Sequence, residues 1–373
     1  MNKNKYQERL QRCLQLMKAA GIDVLILAKP ANMRYLTGDG RLCAYAMITK
    51  DLKVAMGVPQ TDIEDVTRLA YFDHIVGFED EVGLIHSVAH YFKDFGITKG
   101  VVGLEYAFLP APRMGMFTHP HAKPEGVEPK DCTPLMSALR LVKDSEEIEL
   151  MREAGKAAEA GMKAAIASIK QGVTESQVAA EAEYAMRQAG ADDFYRTYVS
   201  SGLRTNIAHG LPTQKMLEKN DLVMIDVHPV VNGYCSDLCR TVCVGKSTEQ
   251  QQSAYDLYVR ALETAIVQVK VGADMAAIEN AMHDIFKQAG HGEHIFGPPI
   301  HGIGLEFEEA PLPAGHAFFH GEKGPGPLAA GTVIAIGNCG LYTGPWGVRD
   351  EDTVAVGQDG PVMLTNFPRQ LEQ

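Results

Sequence analysis

Two aspartates, Asp226 and Asp237, flank an Asn232-Gly233 pair in the run Leu222-Val-Met-Ile-Asp-Val-His-Pro-Val-Val-Asn-Gly-Tyr-Cys-Ser-Asp-Leu-Cys-Arg-Thr-Val-Cys243. Asn-Gly between apolar runs is a strong hairpin signal, because a type I′ turn needs positive φ at both central positions. With those two residues as the loop, Val231 faces Tyr234, His228 faces Asp237 and Asp226 faces Cys239. Side chains alternate along a strand and directly paired residues share a face. Asp226, His228, Asp237 and Cys239 therefore project from one face, with Ile225, Val227, Leu238 and Val242 packing behind. Two carboxylates held this close repel unless a cation sits between them. Pro229 is able to shift the register, so the shared face is the firmer expectation. The plain alternative is a surface hairpin with solvated aspartates, but Val-Met-Ile-Asp-Val reads as core.

Three other segments carry compatible chemistry. In His301-Gly-Ile-Gly304 small residues let the backbone crowd an imidazole able to ligate metal. His209, in Asn206-Ile-Ala-His-Gly-Leu-Pro212, precedes a Gly/Pro turn and belongs on a strand end or loop. The late run Val348-Arg-Asp-Glu-Asp-Thr-Val354 places Arg349 and Glu351 on one face of a strand.

Taken in order, the carboxylate hairpin, the His-Gly-Ile-Gly stretch and the Arg-x-Glu-Asp-Thr strand resemble the pita-bread metallopeptidase superfamily, which includes methionine aminopeptidase, aminopeptidase P, prolidase and creatinase. Gly21-Ile-Asp-Val-Leu-Ile-Leu27 and Asn32-Met-Arg-Tyr-Leu-Thr-Gly38 are similar to the N-terminal domain of the prolidase, aminopeptidase P and creatinase branch, so the resemblance spans essentially the whole chain. It implies metal-ligand roles for Asp226, Asp237, His301 and Glu351, and a substrate-proximal role for His209. The implied cofactor is a divalent metal (Mn, Co, Fe or Zn), which turns water into a nucleophile at neutral pH. The implied substrate is a short peptide or small molecule, and the implied assembly a homodimer.

The chain departs from that pattern at three places. Where family peptidases read His-Glu-x-Pro, this chain has Glu308-Glu-Ala-Pro311, so Glu308 replaces the second catalytic histidine. A glutamate exchanges protons but supplies no imidazolium to an oxyanion. The Glu-Pro-Gly segment that supplies another ligand appears as Gly337-Asn-Cys-Gly340, with Asn338 the better match and Gly337 the alternative. One carboxylate fewer implies one firmly held ion and a weak or empty second site. The residue two after the first aspartate, normally small, is His228; it either ligates metal, contacts substrate, acts as a base or merely hydrogen-bonds Asp237. Arg349 joins His228 as a substrate-binding candidate.

Three functions follow. The first is a peptidase cutting before proline. The second is a creatinase-like hydrolase of a small amidine, guanidine or cyclic amide, with one metal or none. The third is an inactive binding module. The retained Asp226, Asp237, His301, Glu351 and His209 weigh against the third.

These residues need a scaffold. Helices are expected over Ser145 to about Lys170, Thr174 to Gln188, Glu249 to Val269 and Asp274 to Gln288, with Thr174-Glu-Ser-Gln177 forming a capping box. Strands are expected over 193–244, near Thr332–Tyr342 and over Val348–Val356. Two helix pairs, each followed by strands, hint at an old duplication. Upstream, a helix from Tyr6 to Ala20, strands near 23–28, 43–49, 54–58, 74–78 and 101–104, and helices over 61–69 and 82–95 make an α/β domain. The Lys29-Pro-Ala-Asn32 segment reads as a turn, and the Pro-, Gly- and His-rich stretch 110–134 as the domain boundary. The expectation is an α+β chain: an N-terminal α/β creatinase-type domain, 1–132, and a C-terminal pita-bread catalytic domain, 133–373, with a curved antiparallel sheet flanked by helices.

The 373 residues, 46% hydrophobic and 22% charged, suit two globular domains. The net charge of -12 argues against a nucleic-acid partner. No apolar stretch is long enough to span a membrane, and the N-terminus has no apolar leader. Seven cysteines without a CxxC pair fit reduced thiols in a cytoplasmic protein. Cys235 and Cys239 read as buried small side chains, Trp346 as a pocket lining or a turn anchor, and Gly315–Glu322, with His316 and His320, as a loop at the cavity rim.

Overall fold

The structure, a computed structural model, describes residues 3–313 and 326–372. The Gly315–Glu322 segment therefore lies outside the described residues. Two compact units divide between Arg140 and Leu141, where the sequence placed the division at 132/133. The helix Thr133–Arg140 belongs to the first unit because its buried Leu135, Met136 and Leu139 pack beside the opening helix Lys3–Ala20. No helix among the described residues is long and apolar enough to cross a membrane.

The first unit is built on a six-stranded mixed sheet. Its spatial order is His74–Phe78, Val54–Pro59, Tyr45–Thr49, Val24–Leu27, Lys99–Leu104 and Gly126–Asp131. Val24–Leu27 is buried on both faces, as its uninterrupted apolar run requires. Two local readings change here. The expected turn at Lys29–Asn32 is instead the start of a helix, Pro30–Thr37, because proline at the first helical position is preset for that φ. The stretch 110–134 holds a helix, Ala111–Thr118, and the sheet's edge strand Gly126–Asp131. That strand owes its conformation to pairing with Lys99–Leu104 rather than to any local pattern, and an edge tolerates its Pro129.

The second unit repeats one arrangement. Helices Ser145–Ser168 and Glu175–Gln188 pack on the sheet formed by Asp193–Ser201, Leu222–Val231 and Leu238–Cys243. Helices Glu249–Ile266 and Met275–Gln288 share a core with Val333–Ile336 and Asp352–Val356. Capping boxes at Asp144/Glu147, Thr174/Gln177 and Thr248/Gln251 start three of these four helices. Ala154, Ala158 and Met162 meet Ile225, Val227, Leu238 and Val242 behind the hairpin. Burying each large aliphatic side chain contributes about 1.5–3 kcal/mol. That apolar layer holds the opposite, acidic face in place.

The candidate metal centre

The hairpin adopts the register read from Asn232-Gly233. Both residues have positive φ, 49° and 84°. Val231 pairs with Tyr234, and beyond the break at Pro229 Val227 pairs with Leu238 and Asp226 with Cys239. Asp226 also pairs with Tyr198 on its other side, and Cys239 bridges Glu351. Tyr198, Asp226, Cys239 and Glu351 thus form one row across the joint between the two half-sheets. Reciprocal backbone bonds, Cys239 N–H to Glu351 O at 3.2 Å and Glu351 N–H to Cys239 O at 3.0 Å, hold that joint.

Asp237 lies just off the ladder. Its amide donates to Thr353 Oγ1 at 2.9 Å, and the Thr353 hydroxyl donates back to the Asp237 carbonyl at 2.9 Å. Thr353 pairs with Ala335, which pairs with His301, so the second half-sheet carries both the histidine and the threonine that orients Asp237. Sequence reading did not identify Thr353, because its partner is more than a hundred residues away.

The resulting cluster is buried and polar. Asp237, His301 and Glu351 place ligand atoms within 4.8 Å of one another, and so do Asp226, His228 and Asp237. His301 Nε2 lies 3.5 Å from Asp237 Oδ2 and 3.7 Å from Glu351 Oε1. His228 Nε2 lies 3.1 Å from Asp226 Oδ1 and 3.4 Å from Asp237 Oδ1. These approaches miss the direction of a ring N–H. Among the described residues, Asp226 Oδ1, both Asp237 carboxylate oxygens, Glu351 Oε1 and both Nε2 atoms therefore have no hydrogen-bond partner. Buried polar atoms are normally satisfied, so converging orphans of ligand type fit a bound divalent cation.

The charges agree. Burial raises the Glu351 carboxyl well above its usual range, and Asp237 raises it further, with Arg349 opposing. Burial would raise Asp237 as well, but His228 and His301 hold it below the usual carboxylate range. Burial pushes both imidazoles down, yet the aspartates around them keep each above its ordinary value. In each case the cluster demands positive charge.

Other predicted residues lie around this centre in different ways. The Arg349 guanidinium is buried and ion-paired with Asp226 Oδ2, leaving Oδ1 toward His228. Its backbone is locked to the Thr241 hydroxyl, which accepts from Arg349 N at 3.0 Å and donates to Arg349 O at 2.8 Å. His209 is exposed on its loop, 5.5 Å from the Tyr198 ring. Burial and the Arg349 charge lower its imidazole, against Asp226 and Glu308. Glu308 is exposed, and its charge acts on both His209 and His301. Asn338 is half-buried; its amide donates to Pro299 O at 3.1 Å, and among the described residues none hydrogen-bonds its side chain. At Gly337 a side chain has no room: φ is 116° and a Cβ would meet Asp350 O at 2.1 Å.

An aromatic wall completes the site. Phe307 stands 4.5 Å from the His228 ring and 5.4 Å from the His301 ring, and Tyr195 stacks on it at 4.8 Å. Only pairing with the Asp226 strand brings Tyr195 and Tyr198 here; no spacing in the sequence marks them. Beneath, Lys143 lies 2.8 Å from Glu309, somewhat off the best hydrogen-bonding direction, and both are buried. Cys239 is fully buried, and burial raises its thiol well above the ordinary value, as suits a packing residue. The Trp346 carbonyl accepts from the Thr343 amide and hydroxyl at 3.0 and 2.8 Å, closing a turn.

A carboxylate–imidazole centre at the joint of two helix-backed half-sheets, in a chain that also carries an α/β unit, is the architecture of a pita-bread hydrolase. The model of metallopeptidase family M24 matches residues 149–358, and that of the creatinase/prolidase N-terminal domain matches residues 9–142. The chain belongs to metallopeptidase family M24 and is a hydrolase of its Xaa-Pro peptidase branch. It is 30% identical to an Xaa-Pro dipeptidase of Pyrococcus furiosus over 98% of this chain and 99% of that one. Among solved structures, an Xaa-Pro dipeptidase from Bacillus anthracis superposes with a TM-score of 0.88 at 28% identity, covering 98% and 99% of the two chains. The prolidase from Pyrococcus horikoshii superposes at 0.84 with 27% identity, again over 98% and 99%.

Proposed function

We propose that this protein cleaves a C–N bond in a short peptide or small amide, with a divalent ion held by Asp237, His301 and Glu351 and a second, weaker seat beside Asp226. The observation that carries the proposal is the set of six buried ligand atoms that have no hydrogen-bond partner among the described residues. The similarity to Xaa-Pro dipeptidases supports a short peptide ending in proline as the first substrate to try. A bound divalent ion supplies Lewis acidity and a nucleophilic water at neutral pH.

The chain's own residues do the rest. His209, whose imidazole is held below its ordinary value by desolvation and the Arg349 charge, offers a ring N–H to the scissile carbonyl as negative charge develops there. Glu308 takes the place of a second imidazole and moves a proton to the departing nitrogen. Arg349 fixes Asp226, and Phe307 with Tyr195 and Tyr198 shields the reacting groups from bulk water. The second metal seat is weaker because Arg349 already neutralises part of Asp226.

The test is hydrolysis of Ala-Pro and Met-Pro with added Mn or Co, before and after exhaustive chelation. Metal-stimulated turnover is expected to drop at least about a thousandfold in Asp237→Ala, as for loss of one essential transition-state group. Full activity after chelation would replace this reading with creatinase-like, metal-free chemistry. That second reading draws on His228 and Arg349, which already bring positive charge to Asp226.

A further inference from the structure

His228 lies with its ring between the two aspartates of the hairpin, Nε2 being 3.1 Å from Asp226 Oδ1 and 3.4 Å from Asp237 Oδ1. It is fully buried, and its ring is boxed in by aromatic neighbours: Phe307 at 4.5 Å and Tyr198 at 5.6 Å, both edge-on, with Tyr195 at 6.4 Å. The ring cannot turn away without displacing them. Its Nδ1 lies 2.8 Å from the Arg196 carbonyl, so Nδ1 carries the hydrogen and donates it. In the neutral ring the Nε2 lone pair then points between Asp226 and Asp237. His301 is set in the same manner, with Nδ1 3.1 Å from the Gly302 carbonyl and Nε2 toward Asp237 and Glu351. An imidazole that donates one N–H to a carbonyl and presents the other nitrogen to carboxylates is the usual posture of a metal ligand.

We propose that His228 is itself a metal ligand and that Asp226, His228 and Asp237 form the second seat of the centre. This rests on the metal-dependent reading above. Asp226 is divided in a way that suits it: Oδ2 goes to Arg349, while Oδ1, without a hydrogen-bond partner, faces the histidine. The ligand atoms of the three residues lie within 4.8 Å of one another. Asp237, neither oxygen of which has a hydrogen-bond partner among the described residues, turns Oδ1 to this seat and Oδ2 to the His301 seat. Arg349 already neutralises part of Asp226 and the nitrogen ligand adds no charge. The seat is therefore weaker than its neighbour, and imidazole tilts it toward Co and Zn over Mn.

The experiment is a titration of the metal-free full-length protein with Co(II), followed by calorimetry and by the hyperfine-shifted, solvent-exchangeable imidazole protons in its NMR spectrum. Two equivalents are expected, the second weaker. One such proton should appear with the first equivalent, from His301, and another with the second, from the His228 Nδ1–H held by Arg196. In His228→Gly the first equivalent and its proton should persist. The second should weaken by about 100-fold or more, at least what loss of an outer-shell partner costs. Unchanged second-site affinity in that variant overturns the proposal. So does a second equivalent that brings no new imidazole proton in the unmodified protein, a readout that stands even where the variant fails to fold. Uptake of a single equivalent removes the His228 seat alone; no uptake at all removes the metal-dependent function with it.

Discussion

At the scale of single residues, backbone geometry separates Gly337 from Asn338, the two residues proposed for one ligand position. Gly337 and Asn338 were both matches to it in the sequence. Gly337 has φ 116°, and a Cβ there would lie 2.1 Å from the Asp350 carbonyl and 2.8 Å from Glu351 Cα. Positive φ and overlap with backbone penalise the same substitution. Gly337→Ala should therefore lose about 2–4 kcal/mol in urea denaturation. Asn338 is half-buried and its side chain has room to change. Asn338→Glu should melt near the parent temperature and bind Co(II) more tightly. If Gly337→Ala keeps full stability, the backbone account of this position is wrong.

At the scale of elements, the loop that carries His209 is held by one buried carboxylate. Glu175, in the first turn of the helix Glu175–Gln188, is fully buried. Its Oε1 accepts from Ser201 N and Ser201 Oγ, both at 2.8 Å, and its Oε2 from Thr213 N at 3.0 Å and Thr213 Oγ1 at 2.6 Å. Arg204 Nε adds two bonds of 3.2 Å. One side chain therefore grips both ends of the segment 201–213, and the helix N-terminus favours its negative charge. Glu175→Gln removes that charge and replaces an acceptor with a donor facing other donors. Turnover should fall about 10–100-fold, as expected when a catalytic group is displaced by an ångström or so. Amide exchange over 202–212 should quicken while Co(II) uptake stays unchanged. Lost metal binding would mean that Glu175 supports the centre rather than the loop.

At the scale of the whole molecule, every described side chain of the centre and its supports comes from the second unit. Residues 141–373 contain both helix pairs, both half-sheets and the strand joint at Cys239 and Glu351. Their cores close within the unit, from Ala154 and Ile225 in one half to Phe286 and Val354 in the other. Expressed alone, residues 141–373 should melt cooperatively and bind Co(II) with the affinity of the full chain. An unfolded product would show that the second unit depends on the first for stability.

Much of this was legible in the chain because it depends on near neighbours. The Asn232-Gly233 turn set the pairing of Asp226 with Cys239 through turn geometry, and Pro229 interrupted the ladder without shifting it. The box at Thr174 and Gln177 named a helix start from residues three apart. Other features depend on partners far along the chain. Strand Gly126–Asp131 has no periodicity of its own and forms because Lys99–Leu104 offers it an edge. The Asp237–Thr353 bonds, the Arg349–Asp226 pair and the Phe307 wall over His228 and His301 all join distant segments.

The sequence by itself determined the acidic hairpin, its face, and the kinds of side chain that gather there, because alternation and turn chemistry act over a few residues. Only the tertiary structure decided which oxygen of Asp226 meets Arg349 and which meets His228, and that both imidazoles turn Nε2 inward. Those choices depend on carbonyls and rings supplied by other strands, and no local pattern encodes them.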